Sequence, residues 1–593
     1  MKSIAGLITI YAILLINVRQ ASGQDLYEQA YKLEQVMEMI DRYYVDNVNR
    51  EELVNNAISD MIIELETDSA LTSKNEIDRL NEFLNGYDNS VKLQQALFWI
   101  SSNITDTLNK EKLVGNTIAN LLYNLDPHSS YLTREEVEKM NEPLQGNFEG
   151  IGISFNILND TIYIISPIES GPSARVGILA GDRIIKVDGE NVAGIGITND
   201  KVFELLRGEK GTRVNVAVLR RGMNSLIEFE IIRDKIPIYS IDASYKVNDN
   251  TGYIKINRFS LTTMDEFTEA LKLFRNDGIQ NLIIDLTGNG GGYLDVAINL
   301  ADEFLEENKL ILYTEGVHNL RKEYVATRNG GFENGRLVIL IDEGSASASE
   351  ILSGAIQDWD KGIIVGRRSY GKGLVQRPLK LIDQSMIRLT VARYYTPTGR
   401  LIQKPYNADR ESYERDLQTR FFNGEFTHPD SIHFPDSLKY FTLQNTRVVY
   451  GGGGIMPDLF VAIDTSYYSG YYRQIIRKGL LNQFVLEYVD ENRNSLLNKY
   501  PEFSKFKREF KIDDKLFERF TGFTTALGIK PDEKELLTSS AQISLLIKAY
   551  IARDLWTGSE FYEITNEEEP DFKMALKILS NWNDYDAMLV NGN

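Results

Sequence analysis

Residues 342–359 read DEGSASASEILSGAIQDW, and single alanines separate Ser345, Ser347 and Ser349. Ser347-x-x-Glu350 has the form of a capping box ahead of an apolar helix that carries Ile351, Leu352, Ala355, Ile356 and Trp359. On residue statistics alone, Ser347 is an N-cap. A helix start also leaves backbone N–H groups unpaired, and these can hold an oxyanion beside a nucleophile. Ala346 and Ala348 keep the position sterically open. A nucleophilic serine still needs a base. The four histidines, His128, His318, His428 and His433, show no evident triad setting, and there is no G-x-S-x-G elbow. Lys372 lies between two glycines in GRRSYGKG, residues 366–373. A lysine in a tight apolar setting gives up its charge more easily and can serve as base. The ordinary alternative is a solvated loop lysine. A Ser-Lys dyad needs neither histidine nor elbow.

Other chemistries fit less well. GRRSYGKG approaches a phosphate loop, but Gly373 stands where a magnesium-binding Ser or Thr is required. GNGGGY and GGGG miss the dinucleotide fingerprint. The chain has no cysteine, which excludes disulfides, thiol catalysis and cysteine-ligated zinc. No HExxH pair is present. A formal charge of −20 over 593 residues argues against nucleic acid and anionic membranes as partners.

These residues need elements to position them. Residues 1–23 read as a signal peptide: Lys2, an apolar run from Ile4 to Ile16, then Ala21-Ser22-Gly23. The run is too short for a spanning helix, so the mature protein is expected to be exported. Residues 24–145 carry helical periodicity, as in Leu33, Val36, Met37 and Ile40. They also hold an internal duplication offset by sixty residues, in which Leu53, Asn56, Ile58 and Leu65 match Leu113, Asn116, Ile118 and Leu125. Residues 146–236 break into short strands separated by turns. Residues 237–466 alternate strands and helices, which implies an α/β core with parallel pairing and an insertion loop at about 406–444. Residues 467–593 return to amphipathic helices, read as a packing or dimerisation domain.

Taken in order, several stretches resemble the carboxyl-terminal processing peptidases, or tail-specific proteases, of serine peptidase family S41. They are LDPHSSYLT, EGIGISF, GPSARVGILAGDRIIKVDGENV, IIDLTGNGGGYLDVAINLADEFL, GSASASEILSGAIQD, VGRRSYGKGLVQ, YYTPTGRLIQ and GGGGIMPDLFV. The resemblance spans about residues 30–465. It implies a multidomain α/β chain with an N-terminal helical region, a β-sandwich-like PDZ module, an α/β protease core and a C-terminal helical domain. It implies a serine endopeptidase without cofactor or metal. Ser347 would be the nucleophile, Lys372 the general base 25 residues on, and Gln376 the support of the lysine 4 residues later. Ser345 and Ser349 would be structural, and Glu350 a cap or scaffold residue. The Ala348 N–H and one from the glycine turn, placed at Gly291, would form the oxyanion hole. Gly150, Ile151, Gly152 and Ile153 would bind a peptide C-terminus through backbone N–H groups, with Ile151 and Ile153 lining an apolar pocket. The implied partners are protein or peptide substrates with free C-termini, with an adaptor protein and a homo-oligomer as further options, in the bacterial periplasm or cell envelope. A non-catalytic PDZ peptide-binding protein on a protease-like fold is the rival reading. Two features depart from the family pattern: the duplicated N-terminal segment, and Thr287 where an arginine is common.

Overall fold

The computed structural model describes residues 25–67, 74–89, 91–104, 109–327, 330–406 and 410–591. The signal-peptide reading falls on residues outside this set. The first helices span residues 25–43, Arg50–Thr67 and Lys74–Leu84; Lys92–Asn103, Lys110–Tyr123 and Arg134–Gln145 follow. Leu33 and Leu93, Ile40 and Ile100, Leu53 and Leu113, and Ile58 and Ile118 are all buried. Each pair is sixty residues apart. The helix Arg50–Thr67 packs along Lys110–Tyr123, and Gln94 Nε2 donates to Glu34 Oε2 at 2.9 Å. The matched helices therefore face one another.

This helical layer rests on the hairpin formed by Leu374–Lys380 and Met386–Tyr395, through Leu379, Leu381, Ile387, Leu389 and Val391. Lys32, fully buried, donates to Asp383 Oδ2 at 2.5 Å and to Tyr131 OH at 2.7 Å. Ser130–Leu132 adds to the same sheet against Met386–Arg388.

The PDZ region forms a sheet in the order Ile153–Ile157, Ile162–Pro167, Arg183–Val187, Arg213–Leu219 and Ile227–Ile232, with Glu190–Asn191 paired to Arg183–Val187. These are the strands the alternating apolar runs predict. Ile153–Ile157 is an edge strand, and Phe155 meets Phe203 of the helix Asn199–Leu206 at 5.6 Å between ring centroids. Pairing of Asn147–Gly150 with Asp234–Pro237 ties the region to the rest of the chain.

The core sheet runs Ile241–Asn248, Thr251–Ile256, Asn281–Asp285, Arg336–Ile341, Ile363–Gly366, Leu459–Phe460, parallel after its first pair. Its central strands are buried on both faces, as continuous apolar runs require. Leu282, Ile284, Leu337 and Ile339 meet the helices Thr263–Asn276, Leu294–Asp302 and Ala348–Asp358. Ile283, Val338 and Leu340 meet Phe572, Ala575, Ile578 and Leu579 of the helix Pro570–Ser580. Full burial of such side chains contributes about 1.5–3 kcal/mol each. The C-terminal helices thus complete the second face of the core. One of them, Leu480–Lys499, also reaches the PDZ sheet, where Asp490 Oδ2 accepts from Arg183 Nη2 at 2.7 Å.

The insertion is more ordered than a loop. It contains the helices Arg410–Glu414 and Asp416–Phe422. Arg420 is buried and donates to the carbonyls of Arg368 (2.6 Å) and Ser369 (3.1 Å). Those carbonyls lie in the segment leading to Lys372, so they fix the insertion to it.

Candidate active site

Ser347 ends the loop after the strand Arg336–Ile341 and opens the helix Ala348–Asp358. Its φ of +54° with ψ of −110° is sparsely populated for a residue with a Cβ. Such a conformation costs about 1–3 kcal/mol and persists only where the surroundings impose it. The outer serines help to impose it. Ser345 Oγ donates to the Leu286 carbonyl at 2.8 Å, and Ser349 Oγ to the Asn289 carbonyl at 2.9 Å. Both hydroxyls are thereby spent on the glycine turn. Ser347 Oγ donates to no group among the described residues, although it faces the Glu350 N–H in a capping box; Ser347 is partly exposed, while both neighbouring alanines are buried.

Glu350 takes over the capping. Its fully buried carboxylate accepts from the N–H of Ser347 (2.8 Å) and Lys372 (2.9 Å) on Oε2. Oε1 accepts from Ser369 Oγ (2.5 Å) and the N–H of Gly371 (2.6 Å). The Glu350 N–H goes to the Ser347 carbonyl at 2.9 Å, and the Ser347 hydroxyl proton has no acceptor among the described residues. Burial pushes the Glu350 carboxyl above the ordinary glutamate value, and the four donors oppose this.

Lys372 Nζ donates to Gln376 Oε1 at 2.9 Å. No hydrogen bond joins Ser347 Oγ to Lys372 Nζ among the described residues; the link between the two residues runs through their backbone N–H groups, which share the Glu350 carboxylate. Burial, aided by the Arg388 charge, lowers the Lys372 ammonium to about 8. Gln376 Nε2 donates to the His128 carbonyl, which fixes the amide so that its oxygen faces the lysine. His128 is held in turn: Asp126 Oδ1 accepts its N–H at 2.8 Å, and its Nε2 meets Tyr413 OH of the insertion at 2.6 Å. Burial, with the Lys372 charge next, pushes the His128 imidazolium down to about 3, so the ring is neutral at working pH.

The glycine turn lies against Ser347. A Cβ on Gly291, where φ is +104°, would stand 2.9 Å from Ser347 Cβ and 3.0 Å from the Ala348 nitrogen. Only glycine permits that approach. The Gly291 N–H, however, donates to Asn289 Oδ1 at 2.8 Å, so in this structure it is not offered to an oxyanion. The N–H groups of Gly290, Gly292 and Ala348 make no hydrogen bond among the described residues. Beneath the turn, Lys255 Nζ donates to Asp285 Oδ1 (2.9 Å) and Thr287 Oγ1 (2.6 Å). A lysine from the adjacent strand thus supplies the local cation beside Thr287.

At the PDZ region, Gly152 has φ of +73°, and a Cβ there would stand 2.8 Å from Ile236 Cδ1. The Ile151 carbonyl accepts from the Ser173 N–H (3.0 Å) and Oγ (2.7 Å). Ile151 is 2% exposed and belongs to the module's core, whereas Ile153 is only partly buried. An apolar pocket beside the loop would therefore have Ile151 at its buried wall and Ile153 nearer its mouth. Period-two alternation fails at this loop because Gly150 and Gly152 break the strand.

Known families match this arrangement. Residues 250–411 match the model for peptidase family S41, residues 150–231 the model for a PDZ domain, and residues 471–558 a family of unknown function, DUF8443. A carboxy-terminal-processing protease of Bartonella bacilliformis is 35% identical over 297 residues, covering 49% of this chain and 68% of that protein. The chain belongs to the carboxy-terminal processing proteases of peptidase family S41. The Bacillus subtilis carboxy-terminal processing protease CtpA is 34% identical over 314 residues, covering 53% of this chain and 66% of its own. The solved photosystem II D1 C-terminal processing protease aligns with 63% of this chain and 90% of its own at 24% identity, with a TM-score of 0.35. As an S41 peptidase the chain carries a serine-peptidase core joined to a PDZ domain. Within it, Asp126, His128, Tyr413 and Lys255 escaped the sequence reading. LDPHSSYLT was visible as a motif, but its contribution is a carbonyl, which no residue type announces.

Proposed function

We propose that this S41 protease is an exported endopeptidase that cleaves with a Ser347–Lys372 dyad after docking substrate C-termini on its PDZ domain. The observation that carries the reading is the pair of backbone hydrogen bonds from Ser347 and Lys372 to one Glu350 oxygen. It registers the two loops while leaving the Ser347 hydroxyl proton uncommitted. A neutral lysine has two N–H bonds and one lone pair. One N–H stays on Gln376 Oε1, and the lone pair takes the Ser347 proton as the four-carbon stem swings toward it. The serine oxygen attacks the peptide carbonyl. The developing oxyanion is held by the Ala348 N–H and by a glycine-turn N–H from Gly290 or Gly292, with Gly291 as the close-packing residue. Lys372 then protonates the leaving amine, and water hydrolyses the acyl-enzyme.

Backbone N–H groups of Gly150, Ile151, Gly152 and Ile153 receive the tail carboxylate, and the tail pairs with the open edge Ile153–Ile157. The apolar run at residues 4–16 supports export. Among the described residues no helix is long and apolar enough to cross a membrane.

The experiment compares wild type with Ser347→Ala and Lys372→Ala on an unfolded protein such as casein. Both variants should be inactive with unchanged circular dichroism. Activity surviving in Ser347→Ala would overturn the reading.

A further inference from the structure

Arg367 joins three parts of the chain. It lies five residues before Lys372 and is 9% exposed. Its Nε donates to Glu343 Oε2 at 2.8 Å, its Nη2 stands 4.0 Å from Asp342 Oδ2, and its Nη1 stands 3.6 Å from Asp571 Oδ2. Asp342 is the knot of the catalytic loops. Its Oδ1 accepts from the N–H of Gly288 (2.8 Å) and the N–H of Gly344 (3.0 Å), and its own N–H donates to Ser345 Oγ (2.9 Å). The glycine turn and the loop entering Ser347 therefore hang on one carboxylate that Arg367 faces. Asp571 comes from the opposite side, on the helix Pro570–Ser580 of the C-terminal region.

We propose that Arg367 is a positioning residue for catalysis, and that Asp571 couples the C-terminal helical region to the catalytic loops by holding it. The proposal rests on Ser347 being the nucleophile. Its physical basis is an imbalance of charge. From the core, Arg367, Asp285 and Asp342 face Asp571, and Glu569 does so from its own segment. Asp464, Glu568, Lys511 and Lys548 line the same cavity of about 860 Å3, with Lys255 at its floor. Carboxylates outnumber cations around Arg367, and Asp571 Oδ1 is buried without a partner. Burial accordingly pushes the Asp571 carboxyl up to about 7. A raised carboxyl costs stability progressively as pH rises from the unfolded value to the folded one. What Asp571 contributes is its position: it faces Arg367 from the C-terminal helix, while Arg367 faces Asp342 and Glu343 on the loop entering Ser347.

The test is Asp571→Asn in the full-length enzyme, measured by steady-state kinetics on a peptide substrate and by thermal melting. Asparagine keeps the shape and removes the charge. The expected result is kcat lowered about tenfold with KM unchanged, and a Tm above wild type by a margin that grows from pH 5 to about pH 7 and levels off above it. Stability up with activity down is a signature that a merely structural contact would not give. Arg367→Lys should retain more activity than Arg367→Gln. An unchanged kcat, or a fall in both kcat and Tm, overturns the proposal. Ser347→Ala is run beside it: if that variant stays active, the underlying reading fails, whatever Asp571→Asn does.

Discussion

The N–H groups of Ser347 and Lys372 converge on one oxygen, Glu350 Oε2, at 2.8 and 2.9 Å. Two residues 25 positions apart are thus held in register by a third that touches neither reacting atom. Glu350→Gln keeps the volume but replaces one acceptor oxygen by an NH2 group. Two buried donors then lose their acceptor, at about 1–3 kcal/mol each. The variant should lose at least about 100-fold in kcat, because both loops shift. Tm should fall with it, as melting and single-turnover kinetics can show. Full activity in Glu350→Gln would mean that the shared carboxylate does not register the loops.

With Lys372 as the proposed base, its titration should set the pH dependence. Its ammonium is lowered to about 8 from the ordinary lysine value. Activity should therefore rise with pH through about 8 and level off above it. Lys372→Arg should be inactive at every pH, since a guanidinium keeps its proton. The stability sign follows from the same shift. Between the folded and unfolded values the unfolded chain binds more protons, so stability rises with pH across that window. Below pH 8 the buried ammonium costs about 3 kcal/mol. Lys372→Met should melt higher than wild type at pH 7, and the gain should shrink toward pH 10. A constant gain across that range would place the titration elsewhere.

His128 is the histidine close to this chemistry, yet its ring is neutral from about pH 3 upward. It should not contribute to the activity profile. Its work passes through Gln376, whose amide it orients by a main-chain carbonyl. His128→Asn keeps that carbonyl but loses the Tyr413 contact at 2.6 Å. The rising limb near pH 8 should remain in this variant with kcat down about tenfold. Loss of the limb would make the histidine the base.

The legible parts of this molecule were those that side-chain pattern determines. Alternation gave the PDZ strands, strand–helix order gave the parallel core, and the tract around Ser347 gave a helix start. What stayed hidden was carried by backbone. The Gly291 N–H turns to Asn289 and the His128 carbonyl turns to Gln376, and nothing in a residue's type encodes which way its peptide group faces. Long-range charge was equally silent. Lys32 with Asp383 and Arg367 with Asp571 are pairs more than 200 residues apart. Spacing reports only what lies on one element.

Tail recognition gives the last prediction. Ile153–Ile157 is an edge strand whose outer side runs beside the helix Asn199–Leu206. Phe155 and Phe203 meet across that groove, with Phe203 41% exposed. A peptide added to this edge must part or cover the two rings, so it should gain from an apolar residue there. In the proposed mode the terminal carboxylate would meet backbone N–H groups at Gly150–Ile153. Charge-assisted hydrogen bonds contribute about 1.5–3 kcal/mol. Amidating the peptide's C-terminus should therefore weaken binding about 10- to 100-fold. Phe203→Ala should weaken apolar tails while leaving the free-acid preference intact. Calorimetry on full-length Ser347→Ala, with free-acid and amidated forms of one peptide, separates the two contributions. Equal affinities for both forms would mean that substrate tails are read at another surface.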